Sequence, residues 1–126
     1  MTLEEKLAFV DTITTKKALR VVYFNINDND IKAYIIEKIF DKNFLFEIVK
    51  NESSLYLCNL ALSKITDEDT INKIALNNNK SEVRYKATEK ISDEVIFATI
   101  LLKDDNCQVR LCAARKLNNK VVHFNF

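Results

Sequence analysis

Few side chains in this sequence are equipped for chemistry. The chain has one histidine, His123, and three cysteines, Cys58, Cys107 and Cys112. General acid and base work near neutral pH most often uses histidine, yet His123 sits close to the carboxyl end. Cys107, Cys112 and His123 could gather around zinc, but there is no Cys-x-x-Cys pair and no evident fourth ligand. Asp67, Glu68 and Asp69 form a run of carboxylates, which is favourable at a helix start without any ligand. No nucleophile comes with its base. We therefore expect neither catalysis nor a cofactor nor a metal, and the remaining candidates are cations: Lys38, Lys64, Lys90 and Lys116, with Arg84 and Arg110.

The elements that must position these groups are helices. Among 126 residues there is neither a glycine nor a proline, while asparagine occurs fourteen times. That excludes phosphate-cradling glycine loops and most turn types. Lysine plus arginine number 19 against 18 acidic residues, a net charge of +1 that creates no polyanion-seeking field. The start, with Glu4 and Glu5, does not resemble a secretory signal, and the apolar stretch 95–102 is too short to span a bilayer. Three cysteines without close pairing suit a reducing compartment, so a cytoplasmic protein without membrane contact is expected.

A period of 26 residues organises the chain. Blocks 13–38, 39–64, 65–90 and 91–116 align without insertion; 1–12 matches the second half of a block and 117–126 begins another. The blocks open on Ile13, Ile39, Ile65, Ile91 and Leu117. Two residues on stand Thr15, Asp41, Asp67, Asp93 and Asn119, all helix N-cap types, and a second cap column reads Asn27, Ser53, Asn79 and Asp105. Each block thus starts two short helices. Leu19, Leu45, Ile71 and Phe97 lead the buried face of the first; Val22, Ile48, Ile74 and Ile100, then Tyr23, Val49, Ala75 and Leu101, complete it. Ile31, Leu57, Val83 and Val109, with Ile35, Ala61, Ala87 and Ala113, mark the second. At the amino end, Thr2 and Glu5 have capping-box spacing.

The runs Val83-Arg84-x-x-Ala87 and Val109-Arg110-x-x-Ala113, each after a polar turn, resemble the signature of HEAT-like repeats. The short unit is also similar to the variant leucine-rich repeats of bacterial α-solenoids. The resemblance implies an all-α, right-handed α-solenoid of about four and a half helix-turn-helix repeats, forming a single domain over 1–126. It also implies that the arginine pairs with an acidic residue of a neighbouring turn, so that Arg84 would meet Asp104 or Asp105, and that the second helices line a concave side. The chain departs from that family in lacking proline in the first helix and glycine between units.

At 100° per residue, four columns of the second helix point outward: Asp30, Tyr56, Glu82 and Gln108; Ala33, Asn59, Tyr85 and Leu111; Ile36, Leu62, Thr88 and Ala114; and Glu37, Ser63, Glu89 and Arg115. Tyrosines among mixed charges suit a protein-binding surface, and the expected contact residues are Tyr56, Asn59, Glu82, Tyr85, Glu89, Gln108, Leu111 and Arg115. Lys38, Lys64, Lys90 and Lys116 close every complete block, where a cation complements a helix dipole or, alternatively, forms a cationic row for nucleic acid. Around His123, the apolar residues Val121, Val122, Phe124 and Phe126 either fold back on the fourth unit or contact another molecule, a second copy making a homodimer. The expected function is non-enzymatic protein binding, as an adaptor or as an inhibitor of microbial or phage origin. Nucleic-acid binding through the lysine and arginine row, as in HEAT-like DNA-repair proteins, is the disfavoured alternative, and an assembly role is the third.

Overall fold

The computed structural model describes the backbone of residues 1–122 and the side chains of residues 1–119. Among the described residues there are nine helices and no strand, an all-α helical-repeat fold. The chain divides into two compact units, Met1–Lys64 and Ile65–Phe126, at a junction between repeats. The first unit holds α1 (Leu3–Asp11), α2 (Lys16–Asn25), α3 (Asn29–Lys38), α4 (Lys42–Asn51) and α5 (Leu55–Lys64). There α2 pairs with α3 and α4 with α5, while α1 packs on α3 and α3 on α5, so α1 takes the place of a second helix. The second unit holds α6 (Glu68–Asn77), α7 (Ser81–Glu89), α8 (Glu94–Lys103) and α9 (Cys107–Val122). It pairs α6 with α7 and α8 with α9, and stacks α6 on α8 and α7 on α9.

Side-chain caps set where the first helices begin. Thr15 accepts from the Ala18 amide, Asp41 from Phe44, Asp67 from Thr70, and Asp93 from Val95 and Ile96. Thr2 caps α1 by accepting from the Glu5 amide at 3.2 Å, and its hydroxyl donates to the Glu5 carboxylate. The second cap column stands one residue later than the pattern predicts. Asp28, Ser54 and Asn106 cap α3, α5 and α9, and Lys80 precedes α7 without a side-chain cap bond. For α5, α7 and α9 the cause lies in the preceding residue column; at α3 that column holds Ile26, and Asp28 caps one residue late without it. Glu52, Asn78 and Asp104 each turn a side-chain oxygen forward onto the amide two residues on, that of Ser54, Lys80 or Asn106. That amide is spent in the turn, so the helix starts one step later.

The expected fifth start at Asn119 does not occur, because α9 runs unbroken from Cys107 to Val122. Ile39, Ile65 and Ile91 are buried at their breaks, and Ile13 is half-buried at its own, as Leu117 is within α9.

The repeat columns form the core. Leu45, Ile48, Val49, Leu57, Ile74, Val83, Phe97, Ile100 and Val109 are all buried, and Ala61, Ala87 and Ala113 are fully so. Each aliphatic taken from water contributes roughly 1.5–3 kcal/mol. One column expected to face outward is core instead: Ile36, Leu62 and Thr88 are at most 2% exposed. Second helices pack side by side within each unit, α3 on α5 and α7 on α9, and that contact takes one flank of the helix. Thr88 satisfies its buried hydroxyl by donating to the Arg84 carbonyl at 2.7 Å.

Candidate functional site

The cations come first, because their geometry decides which of them face solvent unengaged. Arg84 lies on the second turn of α7, 12% exposed. Its Nε and Nη2 donate to the two carboxylate oxygens of Asp104 at 2.9 and 3.1 Å, and Nη2 also reaches Asp105 at 3.0 Å. Its Nη1 donates to the Asn78 carbonyl, six residues back, at 2.8 Å. This is the pairing that the Val-Arg resemblance implies. Burial alone would raise the Asp104 carboxyl, but the Arg84 fork and the Asn106 amide outweigh it and hold the group below its ordinary range.

The first unit builds the same rung from other residues. Lys32, at the column of Arg84, reaches Glu52, at the column of Asp104, with 3.3 Å between Nζ and Oε1. Tyr23 donates its phenol to the same oxygen at 2.7 Å. Burial, then the Glu52 carboxylate, push the Tyr23 phenol well above its usual range. Burial pushes Glu52 upward too, yet the Tyr23 hydroxyl, the Ser54 amide and the Lys32 charge leave it below the ordinary carboxylate value. Cys58, the next member of the column, places Sγ 3.3 Å from the Glu52 carbonyl, six residues back, as Arg84 does with Asn78.

The lysines that close each block are also engaged. Lys64 donates to the carbonyls of Ile36, Glu37 and Ile39 at 2.9, 2.7 and 2.5 Å, capping the carboxyl end of α3, and lies 4.1 Å from the centre of the Phe40 ring. Lys90 donates to the Ile65 carbonyl at 3.1 Å and Lys116 to that of Glu89 at 2.9 Å. Lys38 pairs with Asp11, which also accepts from the Tyr34 hydroxyl. Lys64 and Lys116 thus serve the end of the preceding second helix, not their own. Desolvation lowers the pKa of Lys64 and of Lys90.

The expected contact residues fall into two groups, one per unit. On α5, Tyr56 is 64% exposed and Asn59 is half-buried, with its Oδ1 buried and without a hydrogen-bond partner. On α7 and α9, Glu82, Glu89, Gln108, Leu111 and Arg115 are exposed and Tyr85 is half-buried. Three of these, Glu82, Tyr85 and Gln108, join Ser81, Lys86 and Asn106 in lining an open groove of about 520 Å³. Glu82, Tyr85 and Gln108 stand on outward columns of the period, whereas Ser81 and Lys86 lie off those columns and Asn106 caps a helix.

The other candidates for chemistry are dispersed. Cys107 is exposed and Cys112 buried, and desolvation pushes the Cys112 thiol up. His123, Phe124 and Phe126 lie outside the described residues, as do the side chains of Val121 and Val122. Asp67 is spent on the Thr70 amide and hydroxyl, and Glu68 accepts from Ser92 at 2.9 Å. Among the described residues no group of three or more His, Cys, Asp or Glu could hold a metal ion, and no helix is long and apolar enough to cross a membrane. Comparisons with protein-family descriptions, with curated proteins and with solved structures find no match.

Proposed function

We propose that this chain is a HEAT-like repeat protein that acts without chemistry, seating a segment of a larger cytoplasmic protein on the outward face of its second helices as an adaptor or inhibitor. The observation that carries the reading is the groove between the starts of α7 and α9. Tyr85 supplies an aromatic wall, Ser81, Asn106 and Gln108 supply hydrogen-bonding groups, and Glu82 and Lys86 offer charges of opposite sign. An aromatic anchor flanked by adaptable polar groups is the composition of an interface core with its rim. The HEAT-like identity is supported by the Arg84–Asp104 rung and by its counterpart at Lys32 and Glu52.

The test is affinity capture from the native cell with the full chain as bait, run beside the Tyr85→Ala variant. We expect one stoichiometric protein, held more weakly by the variant by more than about 1 kcal/mol. Recovery of nuclease-sensitive material, or a partner indifferent to Tyr85→Ala, overturns the reading.

A further inference from the structure

Glu82 and Lys86 stand one turn apart on the α7 wall of the groove described above. A glutamate four residues before a lysine is the ordinary ion pair of a helix surface. Here the two are not spent on each other: the Lys86 ammonium lies 3.9 Å from Glu89, and Glu82 accepts from the Ser81 hydroxyl at 3.3 Å. Both side chains are exposed, with the half-buried Tyr85 beside them.

The α9 wall is neutral and suited to hydrogen bonding. Asn106 spends its Oδ1 on the Gln108 and Val109 amides, at 2.9 and 3.1 Å, which fixes the side chain at the head of α9. Its Nδ2, the Gln108 side-chain amide and the Tyr85 hydroxyl have no partner among the described residues. One wall therefore offers two opposite charges and the other offers amide groups, around a space of about 520 Å³.

We propose that the groove seats a short extended segment of the partner protein that carries residues of opposite charge two positions apart, the basic side chain against Glu82 and the acidic one against Lys86. The inference rests on the protein-binding reading of the same groove. Four residues of helix rise about 6 Å, and two residues of extended chain advance about 6.6 Å with both side chains on one side, so the two pairs come into register. A helix with charges four apart matches that spacing too, but its backbone groups are already spent on one another. An extended backbone brings free N–H and C=O groups, which need partners once water is displaced, and Asn106, Gln108 and Tyr85 supply them. The aliphatic stems of the two charged side chains then lie over the Tyr85 ring.

Selection of a random phage-displayed peptide library on the full chain tests this. Enriched peptides are expected to carry opposite charges two positions apart, and a labelled one, followed by fluorescence anisotropy, is expected to bind Glu82→Lys about fivefold more weakly. Exchanging the basic residue of the peptide for glutamate recovers most of that loss against Glu82→Lys and weakens binding to the unaltered chain. Circular dichroism checks that the variant keeps its helices; if it does not, Lys86→Glu with the acidic residue of the peptide exchanged for lysine makes the same test. Peptides that Tyr85→Ala releases but that lack the charge pair, carry it four apart, or ignore Glu82→Lys overturn the extended segment and leave the groove reading standing. Peptides indifferent to Tyr85→Ala as well as to Glu82→Lys overturn both. A library that yields no peptide above background overturns the proposal, and affinity capture then decides the groove by itself.

Discussion

The rung of the first unit and the rung of the second occupy the same positions in the repeat and differ in chemistry. In the second unit Arg84 brings a planar fork that meets both oxygens of Asp104 and still reaches the Asn78 carbonyl. In the first unit Lys32 brings a point charge, 3.3 Å from Glu52, and the work the fork does elsewhere is shared out. Tyr23 supplies a second donor to Glu52, and the Cys58 thiol stands by the Glu52 carbonyl. The lesson is that the repeat conserves a geometry and not a residue pair. A carboxylate at the turn must be met by donors from the preceding hairpin, and any set of side chains that reaches it serves.

Removing the acceptor is the strongest way to break the comparison. Glu52→Ala leaves the Lys32 ammonium, the buried Tyr23 hydroxyl and the Ser54 amide without their oxygen. Uncovering a buried charge costs 3–5 kcal/mol in closed sites; Lys32 retains some access to water, so we expect a loss of about 3 kcal/mol. Urea unfolding of the full chain measures it, with a lower midpoint and an unchanged slope as the expected outcome. A change below about 1 kcal/mol would mean that Tyr23 and Lys32 find other partners easily.

A milder substitution sharpens the contrast. Arg84→Lys keeps the charge but loses the fork and the bond to the Asn78 carbonyl, with an expected cost of about 1–2 kcal/mol. The opposite exchange, Lys32→Arg, is expected to change stability by less than about 1 kcal/mol, since Tyr23 already fills the second donor position. Equal costs for the two exchanges would show that the rungs do not differ as their geometry says.

How much of this was legible follows from what periodicity can encode. The Asp41, Asp67 and Asp93 caps and the buried faces led by Leu45, Ile71 and Phe97 repeat in register, so the sequence showed where first helices begin and which sides they bury. The second cap column slipped by one: at α5, α7 and α9 Glu52, Asn78 and Asp104 spend an amide in the turn, which no cap preference announces, while at α3 Asp28 takes the cap after Ile26. Ile36, Leu62 and Thr88 looked outward because a helical wheel places one helix against one core, whereas these helices are also packed from the side. The Lys32–Glu52 rung was hidden by its chemistry: a search for Val-Arg passes over a lysine helped by a tyrosine. The groove beside Tyr85 could be read only in part, since Glu82 and Gln108 share an outward column while Asn106 enters it from a cap.

The smallest expected effect concerns the lysine column, and it separates two uses of a cation. Lys64 gathers three carbonyls at the end of α3, whereas Lys116 meets one at the end of α7. Methionine keeps the length and apolar stem of either side chain and removes only the ammonium, so Lys64→Met tests the capping bonds apart from packing. Removing it exposes unpaired carbonyls at a helix terminus, partly reachable by water, and the expected loss is about 1 kcal/mol. Lys116→Met should cost less than half of that. Thermal unfolding of the two variants side by side resolves the difference, because a loss of about 1 kcal/mol moves the midpoint of a domain of this size by several degrees. The order is what matters: a column that served only as a row of surface charge would make the two substitutions alike and salt-sensitive, while a column of helix caps makes their costs follow the number of carbonyls each ammonium reaches.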